Sequence, residues 1–193
     1  GRTVQKLATA QKAAKLDPKF EYNVKHLLEN QPKRVPITSV SIRLGQKWIP
    51  ADLYDAFIKE LFNHRGYDIF FNKITKKYKV KVPIYVSIKD EEIYGFEYNR
   101  MSDETQYSET TMIYYGHEIL QKIINFSTLE VKDNIGTSQK PKKIINQRAT
   151  VILKSRAKRI ENEFVKFIFS SKENRDRLEN RYNKVFNQVK KLS

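Results

Sequence analysis

The sequence predicts an α+β fold, a small antiparallel sheet packed by helices, with a C-terminal basic helical hairpin. Three observations predict it. Apolar residues recur at helical spacing toward both ends of the chain, short runs in the middle alternate apolar with charged residues, and the last quarter combines helical periodicity with dense positive charge.

Residues Val4 to Lys15 read as a short helix with Val4, Leu7 and Ala8 on one face. Asp17-Pro18 supplies an N-cap followed by proline at the first helical position, and Phe20, Val24, Leu27 and Leu28 continue until Asn30 and Pro32 stop the run. The segment QPKRVPITSVSIRLGQKWIP reads as an extended connection with a strand near Val40 to Leu44. Pro50 opens the next helix, striped by Leu53, Phe57 and Leu61, which ends near Asn63 with Gly66 where a C-cap glycine belongs.

Tyr67 to Phe71 and Tyr78 to Val82 read as strands joined by the polar turn KITKK; Pro83 to Ile88 is a third candidate, and Tyr94, Phe96 and Tyr98 suggest a fourth. A polar stretch then leads into a helix near Thr110 to Asn125, and LEVKD reads as a short last strand. The loop NIGTSQKPKK marks the best internal boundary, dividing an α+β connector domain (1–140) from a basic helical hairpin (141–193). Beyond it, Ala149, Leu153, Ala157, Ile160, Phe164, Phe167 and Ile168 describe one long amphipathic helix. Ser170 and Glu173 have capping-box spacing, and Leu178, Tyr182, Val185 and Val189 stripe a second helix.

Lys plus Arg number 37 against 22 Asp plus Glu, a formal charge of +15 that calls for an acidic partner. The charge is uneven: residues 141–193 hold 15 basic and 5 acidic side chains, or +10, leaving +5 for the first 140. The absence of cysteine excludes disulfides and thiolate metal sites and fits a reducing cytoplasm. No apolar run approaches the roughly 18 residues of a membrane span, so neither a membrane nor an export signal is expected.

The chain lacks a GxxxxGK[ST] phosphate loop, a GxGxxG fingerprint and a GxSxG elbow. In HEILQ, His117 to Gln121, glutamine replaces the second histidine of a zinc-protease motif, so a partly buried helix histidine is the better reading. Glu130-Val131-Lys132 has the ExK pattern of a metal-dependent nuclease, but the upstream carboxylates Asp103 and Glu104 fall in a loop-like stretch, which favours an ordinary strand end. These absences point to a chain with no metal site, no catalytic residue and no small-molecule substrate.

The residues suited to phosphate contact are Lys142, Lys143, Lys154, Arg156, Lys158 and Arg159, with Arg175, Arg177 and Arg181 on the next helix; Arg43 reads as structural. Each such cation can neutralise one phosphate and release counterions. The competing reading is a solvated helix face on which Glu161, Glu163 and Glu179 pair with some of them. Core packing is the default for Trp48, Phe57, Phe164 and Tyr182, whereas Tyr94 and Tyr98, on a polar sheet face, are the candidates for base stacking.

Four blocks, in order, resemble a family of very large proteins of phages, plasmids and integrative elements, which join an adenine-specific DNA methyltransferase to a Swi/Snf-like helicase. They are GRTVQKL…QKAAKLDPKFEYNVKHLLENQP; SIRLGQKWIPADLYDAFIKELF, carried by Arg43, Leu44, Gly45, Trp48, Ile49 and Pro50; YYGHEILQKIINFSTLEVKD; and RATVILKSRAKRIENEFVKFIFSSKENRDRLENRYNKVFN, with Arg175, Leu178, Tyr182, Asn183, Phe186 and Asn187 in register. Tyr115 and Phe167-Ile168 stand where that family usually has Trp and Trp-Ile, apolar exchanges that a core absorbs.

The resemblance implies a connector between methyltransferase and helicase domains of one polypeptide, some members of the family acting in anti-restriction. It would hold duplex or displaced DNA while its neighbours use S-adenosylmethionine and ATP, and would need no cofactor of its own. The rival readings are a scaffold docking on the helicase or methyltransferase domain, and a cryptic nuclease built on Glu130 and Lys132.

Overall fold

A computed structural model describes residues 5–6, 32–63, 66–86 and 93–187. Apart from Gln5 and Lys6, the two N-terminal helices expected from the sequence lie outside the described residues, as does Val189. The class is α+β: the described residues form helices α1 (Ala51–Phe62), α2 (Gly116–Ile124), α3 (Gln147–Ser170) and α4 (Lys172–Phe186). The strands are β1 (Asp68–Asn72), β2 (Lys77–Lys81), β3 (Phe96–Met101), β4 (Tyr107–Tyr114), β5 (Lys132–Asn134) and β6 (Lys143–Ile145). They divide into two compact units, residues 42–170 and residues 1–41 with 171–193.

The strands of the larger unit do not join into one sheet. Each pairs only with its neighbour in sequence, giving three antiparallel ribbons, β1 with β2, β3 with β4 and β5 with β6. Side chains cap the ribbon edges. On β2, the Tyr78 N–H donates to Oδ1 of Asn125, the α2 C-cap (2.7 Å), and the Val80 N–H to Oε1 of Gln121 one turn earlier on α2 (3.0 Å). Asn125 Nδ2 returns a bond to the Tyr78 carbonyl (2.8 Å), so an unpaired edge is closed without another strand.

Several strand and helix limits differ from the sequence expectation. Residues 40–44 form no strand: Ile37–Ser39 is a 3₁₀ turn, and Gly45, at φ 94°, turns the chain toward α1. Residues 83–86 are also not a strand, with Ile84 and Tyr85 exposed. Tyr94 precedes β3 and is buried against Phe62, with ring centroids 6.1 Å apart. Residues 110–114, expected as helix, belong to β4, where exposed Thr110 and Thr111 suit a strand with little core contact. The loop read as a boundary joins β5 to β6, both within residues 42–170.

The core of this unit is built around α3. Its stripe of Ala149, Leu153, Ala157, Ile160, Phe164 and Ile168 is buried at helical spacing. Phe164 meets Tyr54 and Phe57 of α1 at centroid distances of 5.4 and 5.1 Å, while Ile119, Leu120 and Ile124 of α2 complete the interior. Burying each of the Leu, Ile and Phe side chains contributes about 1.5–3 kcal/mol. α1 ends where Asn63 adopts the left-handed conformation (φ 47°), a role Asn fills nearly as well as Gly, so Gly66 is not the cap.

In the smaller unit α4 begins one residue later than its capping-box spacing suggests. Ser171 is the N-cap, its Oγ accepting from the Asn174 N–H at 3.2 Å. Asn183 then clasps an extended segment: its Oδ1 accepts from the Val35 N–H (2.8 Å) and its Nδ2 donates to the Val35 carbonyl (2.9 Å). Glu179 accepts from the Ile37 N–H (2.9 Å) and from Arg34 Nε (3.0 Å), and Asn187 Nδ2 donates to the Lys33 carbonyl (2.5 Å). The two asparagines of YNKVFN are therefore backbone clamps.

Candidate nucleic-acid interface

Three cations from two elements converge on one groove. Arg43 precedes α1, and Lys154 and Lys158 lie one turn apart on α3; with Phe126, Leu129 and Glu161 they line a recess of about 310 Å³. Ile123 and Ala157 form part of its apolar wall.

The Arg43 loop is held by a buried tyrosine. Tyr54 is fully buried, its hydroxyl accepts from the Gly45 N–H (3.0 Å) and donates to the Gln46 carbonyl (2.8 Å), and the Gln46 side chain accepts from the Arg43 N–H (2.9 Å). Burial, reinforced by neighbouring Tyr78, pushes the Tyr54 hydroxyl far above its ordinary pKa, so it stays a neutral donor. Gly45 is required twice: its φ is positive, and a Cβ there would lie 2.2 Å from the Ile124 carbonyl oxygen. This close approach sets Arg43 beside the end of α2.

That end is a Schellman motif with an unusual residue. The Ser127 N–H reaches the Lys122 carbonyl (2.9 Å) and the Phe126 N–H the Ile123 carbonyl (3.0 Å), which places Phe126 at the left-handed position that glycine usually takes. Phe126 has φ 52° and is 55% exposed, and the Arg43 guanidinium carbon lies 5.7 Å from its ring centroid. Glu161 is the one acidic side chain lining the groove, 3.9 Å from Arg43. Lys154 and Lys158 are exposed, and their side chains make no hydrogen bond or ion pair among the described residues.

The remaining expected phosphate contacts are dispersed. At about 100° per residue, Arg156 and Arg159 fall on the other side of the buried α3 stripe from Lys154 and Lys158. Arg159 Nη1 donates to the Ile93 carbonyl (3.0 Å), and half-buried Arg156 has a buried Nε with no hydrogen-bond partner among the described residues. Lys142 pairs with Glu104, and Lys143 is exposed on β6. Arg175, Arg177 and Arg181 stand on α4, in the other unit.

The stacking candidates also change. Tyr94 is buried, whereas Tyr98 is half-buried beside Phe96 at 5.8 Å. Sequence reasoning missed Phe126, whose exposure comes from the helix-ending geometry.

The other polar clusters serve the fold. His117 is half-buried and stacks on Tyr115 at 5.5 Å, and Gln121 of the same HEILQ run caps β2. Lys132 lies 3.7 Å from Glu130, whereas Asp103 accepts bonds from Thr105 and Gln106 within its own turn. Among the described residues no group of three or more His, Asp or Glu side chains could hold a metal ion, and no helix there is long and apolar enough to cross a membrane.

The sequence model of the family described as a domain of unknown function (DUF8437) matches residues 43–188. The chain belongs to this family. The DUF8437 span starts at Arg43 and includes every residue lining the groove, as well as Asn183 and Asn187 of the α4 clamp. A search of curated proteins and of solved structures gives no match.

Proposed function

We propose that this chain is a non-catalytic module that binds DNA through the phosphate backbone, with Arg43, Lys154 and Lys158 as its principal contacts. The observation that carries the reading is the convergence of these three cations, opposed by Glu161 alone, on one groove of a chain with formal charge +15. Cations held at fixed separation gain binding free energy by releasing counterions from the nucleic acid. The resemblance to methyltransferase–helicase proteins adds the setting: a connector in a bacterial, phage or mobile-element polypeptide that holds DNA beside domains using S-adenosylmethionine and ATP.

Fluorescence anisotropy of the 193-residue chain with a labelled oligonucleotide tests this. Affinity is expected to fall as salt rises from about 50 to 200 mM, and K154E/K158E to lower both affinity and the salt slope, the latter by roughly 1–2. K73E/K76E makes the same charge change at exposed positions of the β1–β2 turn and should do much less. No binding at about 50 mM salt, where non-specific affinity is greatest, overturns the reading.

A further inference from the structure

Resting on that phosphate-binding reading, we infer that the groove takes single-stranded nucleic acid, with an unpaired base stacked on the Phe126 ring and flanking phosphates held by Arg43, Lys154 and Lys158. Phosphate contacts alone would serve a duplex equally well. The exposed aromatic does not serve both, because a base in a duplex has its faces covered by its neighbours, whereas an unpaired base offers a π-face.

Three observations converge on Phe126. It is 55% exposed although it borders the apolar side chains Ile123 and Leu129. Its φ of 52° is one that an aromatic residue adopts only at a cost in strain, at a helix-end position where glycine would be free of that cost. Its ring also lies among the groove's cations, with Arg43 5.7 Å from the centroid and Lys154 and Lys158 lining the same recess. An apolar ring kept in solvent at a strained position, bordered by positive charge, matches a ligand that is planar on one side and anionic on the other. Single-stranded nucleic acid has both features.

The test compares a labelled oligo-dT with a duplex of equal length, using the whole chain and its F126A, F126G, F126W and K154E/K158E variants. Wild type should favour oligo-dT. F126A and F126G should weaken oligo-dT binding by roughly 5- to 100-fold while duplex affinity changes little and the thermal midpoint does not fall, F126G raising it by relieving the strain, and F126W should retain oligo-dT binding. K154E/K158E should weaken both ligands. If F126A leaves oligo-dT affinity unchanged, or lowers both affinities equally, the stacking inference fails while phosphate binding stands. If K154E/K158E also has no effect, or wild type binds neither ligand, both readings fail.

Discussion

Asp133 and Asn146 form a buried polar pair: Asn146 Nδ2 donates to Asp133 Oδ2 at 2.8 Å, and both residues are almost wholly shielded from solvent. Asp133 also accepts from the Met101 N–H (2.8 Å), while Asn146 Oδ1 accepts from the Ala149 N–H (3.1 Å) at the start of α3. One network thus links β3, β5 and the first turn of α3. D133A strands two buried donors and should cost about 3 kcal/mol, read as a lower urea midpoint. D133N should fall between, because Asn146 already presents its Nδ2 and an asparagine can accept there only by turning its own amide from a second donor.

Gly45 joins backbone conformation to the proposed interface. In G45A the new Cβ would lie 2.2 Å from the Ile124 carbonyl and 2.9 Å from Phe126 Cε2, at a φ of 94°. The loop must move, so a loss of about 3 kcal/mol or more is expected. Denaturant unfolding measures it, and a stability equal to wild type would show that the loop has no fixed position against α2.

Glu179 sets a pH dependence in the smaller unit. The Ile37 N–H and then Arg34 hold its carboxyl below the usual glutamate range. A folded pKa below the unfolded one means that this stabilisation is present above the unfolded value near 4.5 and is lost as pH falls through the folded value. E179Q should lower stability at neutral pH and reduce the difference between pH 7 and about pH 3.5, measured by urea unfolding at both pH values. An unchanged difference would mean that the pair does not contribute.

What the sequence revealed depended on whether burial left a periodic trace. The α3 stripe was legible because Ala149, Leu153, Ile160 and Phe164 face one core. β4 was not, since most of Tyr107–Tyr114 is exposed and its residues read as a polar stretch running into a helix from Thr110. The three separate ribbons were hidden for another reason: Gln121 and Asn125 replace strand partners with amide groups that have no spacing signature. Lys154 and Lys158 could be named from charge, and the same helical spacing that shows the α3 stripe already sets them apart from Arg156 and Arg159; their meeting with Arg43 came only from the fold. Arg43 reads as structural in the sequence, and it reaches the groove only because the turn at Gly45 brings its loop beside the end of α2; Phe126 is exposed only because the chain turns left-handed after Asn125.

Tyr54 offers a way to loosen Arg43 without touching its charge. Its hydroxyl is the partner of the Gly45 N–H and donates to the Gln46 carbonyl, and its ring packs edge-on to Tyr78 at a centroid distance of 5.3 Å. Y54F keeps the ring and leaves those two backbone groups without the hydroxyl, so a stability loss of about 1–3 kcal/mol is expected. The same change frees the loop that carries Arg43, and ordering it again on binding costs conformational entropy. Y54F should therefore weaken oligonucleotide binding modestly while the salt slope stays near wild type, because no cation has been removed. R43Q should lower both affinity and slope. Anisotropy titrations at three salt concentrations separate the two effects, and a Y54F slope as low as that of R43Q would mean that Arg43 reaches phosphate only when Tyr54 holds its loop.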